Sequence, residues 1–129
     1  MKHWIFKDYI SERGENVIRR WLDGLPKRAR IKIELRLRYL ENVQYLNLEP
    51  QYVKQLVGYE GLYEIRVVLD NVQYRPLGCY VPGERGQFAL LIGAVEKGGK
   101  LEPRDACDTA VERKGTITFN RSRLHDHFE

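Results

Sequence analysis

Along the chain, apolar and polar positions follow first a helical and then an alternating rhythm. Trp4-Ile5-Phe6 is a short apolar triplet among charged residues, which predicts a brief first strand at a sheet edge or beside its partner. From Asn16 to Leu22 the apolar residues Val17, Ile18, Trp21 and Leu22 recur at helical spacing. Gly24 and Pro26 interrupt them, so a short helix ending near Asp23 is expected. The next stretch, Ala29 to Leu40, carries two signals. Ile31, Ile33, Leu35, Leu37 and Tyr39 alternate strictly with Arg30, Lys32, Glu34, Arg36 and Arg38, as a strand would. Against that, the segment is long for a strand, holds no turn residue, is rich in Leu, Arg, Lys and Glu, and follows Pro26. It also fits a helical stripe through Ile33, Leu37 and Leu40, and helix is the expectation.

A polar connector, Asn42 to Gln51, leads to the short apolar and basic piece Tyr52 to Val57, which holds Lys54. Three strands are expected next. Leu62 to Leu69 ends at Asp70-Asn71, a two-residue turn signal, so Val72 to Tyr80 should return as its hairpin partner. Phe88 to Val95 follows the turn Pro82-Gly83-Glu84-Arg85-Gly86 and is nearly all apolar, as a central strand covered on both faces would be. Gly98-Gly99 breaks the pattern. Pro103 should then start a helix through Ala106, Ala110 and Val111, closed by Gly115. From Thr116 onward a frayed or partner-ordered tail is expected. The fold class is therefore α+β: an N-terminal strand and helical hairpin on a mainly antiparallel sheet with a three-strand meander, then a C-terminal helix. Residues 1–114 form one domain in this reading, and 115–129 the tail.

Composition narrows the class of protein. With 129 residues, one compact core is the working assumption. A hydrophobic content of 43% with 31% charged residues argues against disorder. No apolar run of about 18 residues exists, and no secretory signal is visible in the first residues, so no membrane partner is expected. Only Cys79 and Cys107 are present, which fits a reducing, cytoplasmic setting without a disulfide framework. The net charge is +4, and residues 1–60 hold the excess, with twelve Lys and Arg against eight Asp and Glu. Such a balance favours phosphate-rich or acidic partners.

The usual catalytic signatures are missing: there is no G-x-S-x-G elbow, no phosphate-binding Gly-rich loop and no H-E-x-x-H. His3, His125 and His127 lie near the chain ends, and His125-x-His127 is read as a solvated tail, so no metal site is expected. The chemistry that remains is a set of charges on the strands. If Tyr63, Ile65, Val67 and Leu69 face a core, Leu62, Glu64, Arg66 and Val68 share the other face. Arg75 joins from the next strand, with Pro76 forcing a bulge or a loss of pairing. Lys54 precedes these residues, and Lys97 and Lys100 follow them. Converging cations stabilise the charge that grows on a phosphodiester in its transition state. The same residues also read as cross-strand salt bridges, such as Glu64 with Arg75. Lys27 to Arg38 holds six basic residues and one acid, which suits either a phosphate-facing surface or the solvated face of an amphipathic helix. The tyrosines, Tyr63, Tyr74 and Tyr80 among them, can stack on bases, but core or rim positions are the commoner fate.

Gly61-Leu62-Tyr63-Glu64-Ile65-Arg66-Val67, then Tyr74-Arg75, then Leu90-Leu91-Ile92-Gly93 with Glu96-Lys97, resembles the RelE/ParE toxin superfamily, and most closely its HigB-like, phage-derived branch. The resemblance covers roughly Lys2 to Lys114 and implies a small RelE-like fold. It implies a toxin of a type II toxin–antitoxin module, acting as a ribosome-associated endoribonuclease on messenger RNA. No metal or cofactor is implied, because the RNA 2′-hydroxyl attacks the adjacent phosphate. The implied partners are a cognate antitoxin, often with a helix-turn-helix domain, together with messenger RNA and the ribosome; operator DNA is reached only through the antitoxin. By position, Arg66 and Arg75 would stabilise phosphate, Lys97 would contact phosphate or the leaving group, and Glu64 or Glu96 would act as base. Lys54, Lys100, Arg85 and Tyr80 would bind RNA. Two departures stand out: related sequences often read F-x-K-K where this one has Ala94-Val95-Glu96-Lys97, and Pro76 follows the second arginine. They leave room for a non-catalytic RelE-like binding module, and the superfamily also holds ParE-like toxins that poison a topoisomerase.

Overall fold

A computed structural model describes residues 2–128. In chain order its elements are β1 (Ile5–Tyr9), α1 (Val17–Asp23), α2 (Lys27–Glu41), β2 (Val53–Gln55), β3 (Tyr63–Ile65), β4 (Val67–Leu69), β5 (Val72–Tyr74), β6 (Leu77–Tyr80), β7 (Gln87–Ile92), β8 (Val95–Lys97), β9 (Lys100–Glu102), α3 (Ala106–Phe119) and β10 (Leu124–Asp126). Among the described residues the strands form a six-stranded sheet, ordered β10-β1-β7-β6-β3-β2, and a four-stranded sheet, ordered β4-β5-β8-β9. All pairings are antiparallel except β1 with β7. The fold is the expected α+β class.

Alternation along β7 builds the layers. Phe88 and Leu90 point into one core with Phe6, Ile65, Ile18 and Leu22 of α1, and Ile33, Leu37 and Leu40 of α2. Ala89 and Leu91 point into a second core with Leu62, Leu77, Cys79 and, from α3, Ala106, Ala110 and Ile117. The large sheet thus lies between the helical hairpin and α3, which is why β7 reads as a continuous apolar run. Asn16 caps α1, its side chain accepting from the Arg19 amide at 2.9 Å. The ambiguous alternating stretch is helical. Residues two apart on a helix lie about 200° apart, so the alternation places Ile33 and Leu37 inside and Ile31 and Leu35 outside.

The expected meander is present but bent. Each of its three strands breaks, at Arg66, at Arg75-Pro76 and at Gly93-Ala94, and crosses from the large sheet into the small one. Pro76 has no amide proton to give a ladder, yet its carbonyl accepts from the Ile65 amide at 2.9 Å. At the third break Gly93 admits the ring of Trp21, since a Cβ there would sit 1.9 Å from Trp21 Cδ2.

Three boundaries differ from expectation. Gly98-Gly99 is a hairpin turn and not a break; both residues have positive φ, 56° and 78°, and β9 follows. The last helix begins at Ala106, three residues after Pro103, and passes through Gly115 to Phe119, because Ile117 adds a buried contact beyond the glycine. Beyond α3, the segment read as a tail is built into the sheet: β10 pairs with β1, so β1, expected at a sheet edge or beside its partner, lies inside the sheet between β10 and β7. Among the described residues no helix is long and apolar enough to cross a membrane.

Candidate functional site

Where the strands bend between the two sheets, four charged side chains meet. Arg75 Nε lies 2.8 Å from Glu64 Oε2 and 3.8 Å from Glu96 Oε1, and Arg66 Nε lies 3.7 Å from the same Glu64 oxygen. Strand parity explains the meeting, since Glu64 and Arg66 share the face opposite Ile65 and Val67, and Gln73 and Glu96 are register partners. Arg75 is the most enclosed, with a side chain 5% exposed, against 12% for Glu64, 30% for Glu96 and 33% for Arg66. Its guanidinium donates to the Tyr74 carbonyl at 3.1 Å and to the Gln73 side chain.

The ion pairs are close but poorly directed. Glu64 Oε2, Arg66 Nε and Arg75 Nε are buried without an aligned hydrogen bond, so attraction within this knot is mainly charge against charge. Burial pushes the Arg75 pKa below its ordinary value, opposed by the charges of Glu64 and Glu96 and reinforced by Arg66. Cys107, at the start of α3, has its thiol pushed up by burial, then by Asp108 and Glu64, which disfavours the thiolate and hence nucleophilic chemistry. Cys79 is pushed up to about 11 by burial. Among the described residues, no group of three His, Cys, Asp or Glu is placed to hold a metal ion.

Around the knot the other expected residues fall into two groups. Lys54 stands directly across from Glu64 in the β2–β3 register, exposed and on the same face. Lys97 and Lys100 face each other across the Gly98-Gly99 turn; Lys97 follows Glu96 in β8 and so projects to the opposite face. Arg85 is in the turn before β7, separated from Glu96 by the length of that six-residue strand, roughly 20 Å at 3.3 Å per residue. Tyr80 is in an aromatic cluster with Trp4, Tyr63 and Phe88, at centroid distances of 5.2–5.4 Å. The structure thus brings together Glu64, Arg66, Arg75, Glu96 and Lys54, places Lys97 and Lys100 on the opposite face of the small sheet, and leaves Arg85 and Tyr80 away from them.

Two features had escaped the sequence. Gln73 anchors Arg75, and the alternation that placed the charges on one face was the available signal. His127, read as a tail residue, is buried between Asp8 at 2.7 Å and Glu34 at 2.9 Å. No local pattern could reveal that, because Asp8 lies 119 residues away.

Taken together, these features define a small α+β domain with a charge-compensated arginine–carboxylate knot at the bend between two sheets. The chain belongs to the family described as Phage derived protein Gp49-like (DUF891), whose model matches residues 20–115. That is a phage-derived family of the RelE toxin type, and it suggests a cognate antitoxin as partner. The match supports the phage-derived part of the resemblance without placing the chain in the HigB-like branch. Neither a curated protein nor a solved structure matches the chain significantly.

Proposed function

We propose that this protein is the toxin of a type II toxin–antitoxin module and cleaves messenger RNA on the ribosome. The antitoxin in this reading carries a helix-turn-helix domain and is the only link to operator DNA. The observation that carries the proposal is the graded exposure of the knot. Arg66 and Glu96 keep about a third of their side chains at the surface, whereas Glu64 and Arg75 are enclosed behind them. Arg66 is therefore the cation that reaches a phosphate, and Glu96 the carboxylate that reaches a ribose hydroxyl. Arg75 and Glu64 act as positioning residues, and Lys54 adds a backbone contact on the same face.

In the reaction, Glu96 takes the 2′-hydroxyl proton as the 2′-oxygen bonds to phosphorus. The bond from phosphorus to the 5′-oxygen breaks, that oxygen gains a proton from water, and a 2′,3′-cyclic phosphate is left. Arg66 offsets the charge that builds on the non-bridging oxygens. A binding module without catalysis is the second reading, because each carboxylate of the knot already has an arginine within ion-pair range.

Controlled expression with mapping of new RNA 5′ ends separates the two. Growth arrest with new ends inside translated messages, lost in Arg66→Ala and in Glu96→Gln, is the expected outcome. Normal growth with intact messages from a folded, soluble wild-type chain would leave the binding module. DNA damage without new ends would point to a topoisomerase instead.

A further inference from the structure

The outer face of α2 carries a second apolar stripe that the fold does not use. Ile31 is 46% exposed and Leu35 63%. One helical turn apart, they lie on the side opposite Ile33 and Leu37. Together with the ring of Phe128 they line an open groove of about 410 Å³, bordered by Arg19, Arg30 and Arg38. The Arg38 guanidinium stacks on Phe128 at 3.7 Å from the ring centroid, which makes that wall of the groove cationic as well as flat.

Charge around the groove selects the occupant. Arg30 and Lys27 have no acid within ion-pair distance among the described residues. The one acid lining the groove, Glu34, is engaged by Arg19 and His127. An RNA backbone fits less well, because the centre of the patch is Ile and Leu. Moreover, Arg28, Lys32, Arg36 and Arg38 are already committed to Asp70, the Val68 carbonyl, the Arg66 carbonyl and Glu41. An apolar stripe with a cationic border is what the apolar face of an acid-flanked helix recognises.

We propose that this face of α2 docks an acidic amphipathic helix of a partner protein. Leucines on that helix fill the Ile31–Leu35–Phe128 groove, and its carboxylates meet Arg30 at the border. The surface is argued from α2 alone; that the partner is an antitoxin rests on the toxin reading above. The groove and the arginine–carboxylate knot belong to opposite faces of the large sheet, so the two assignments separate experimentally.

The probe is a stapled 20-residue helical peptide with leucines at i, i+4 and i+7 flanked by glutamates, titrated into the full chain. A second peptide with lysines in place of the glutamates serves as the control. The acidic peptide should bind, Leu35→Glu should weaken it by roughly tenfold or more, and Arg30→Glu should shift preference towards the lysine peptide. Leu35 is exposed and Arg30 half-buried without an ion pair, so both variants should leave the unfolding midpoint and RNA cleavage as in the wild type. Binding indifferent to Leu35→Glu or to peptide charge would overturn the proposal. So would a wild-type dimer that Leu35→Glu dissolves, which would assign the groove to a second copy, or a single-stranded RNA oligomer that displaces the peptide.

Discussion

Arg66 and Arg75 sit nine residues apart and touch the same glutamate oxygen, yet their burial gives them different energetic roles. Arg75 is enclosed and neutralises Glu64, so Arg75→Ala strands a buried carboxylate and should cost about 3–5 kcal/mol in unfolding free energy. Arg66 is a third exposed, and Arg66→Ala should cost no more than about 1 kcal/mol. Urea titration of the two variants measures this directly. Equal losses would mean that Arg66 also holds the fold, and its use as a phosphate contact would then be unsupported. Replacing both enclosed partners, Glu64→Leu with Arg75→Met, should recover most of the loss, since the two charges that lose a partner, Arg66 and Glu96, keep about a third of their side chains in solvent. Much of this knot was legible in the sequence, because period-two alternation places Glu64 and Arg66 on one face and names Arg75 as a cross-strand neighbour. The exposures were not legible. They depend on how α3 and Gln73 close over the bend, and neighbouring residues in sequence carry no signal of that.

Element boundaries obey competing local rules, and tertiary burial decides between them. Gly115 looked like a helix stop, but it lies in the interior of α3, two residues before the buried Ile117. A glycine in that place carries an entropic cost without a conformational reason, and a Cβ added there would meet nothing within 4 Å. Gly115→Ala should therefore stabilise the protein by roughly 0.5–1 kcal/mol, read as a rise in urea midpoint with an unchanged slope. A destabilised Gly115→Ala would mean that this glycine has a role in the fold that its open surroundings do not reveal. The helix α2 teaches the complementary lesson. Its alternating pattern is ambiguous because both of its faces are apolar, and only the inner one is used by the fold. The three-strand meander was readable from its turn residues, notably Asp70-Asn71, both of positive φ. Its division into two sheets was readable only at Pro76, since Arg66 and Ala94 carry no breaking signal of their own.

Both ends of the chain and all of the helical layer meet at His127. Its ring contacts Asp8 of β1 and Glu34 of α2, Arg19 of α1 donates to its backbone carbonyl at 2.9 Å, and Asn16 donates to Asp8 at 2.9 Å. Phe128 packs edge-on against the ring, and the His127 amide donates to Phe6 at 2.9 Å, continuing the β1–β10 ladder. Burial alone would lower the His127 pKa, but hydrogen bonds and charge from Asp8 and Glu34 together outweigh it and raise the pKa above the ordinary 6.5. Glu34 is lowered from its ordinary 4.5: burial opposes this, and His127 and Arg19 prevail. The signs then set a window. The histidine's contribution is complete below 6.5 and is lost as pH rises through the raised value, whereas the glutamate's is complete above 4.5 and is lost as pH falls through the lowered one. The attachment of β10 should therefore be tightest between pH 4.5 and 6.5 and loosen on the alkaline side before the rest of the molecule does. Amide exchange of His127, Ile10 and Asp8, followed across pH after correction for intrinsic rates, reads this out. In His127→Gln the alkaline limb should disappear. Protection that stays flat from pH 5 to pH 9 in the wild type would show that the strand is held by its backbone ladder and apolar contacts, with the buried charges adding nothing that titrates.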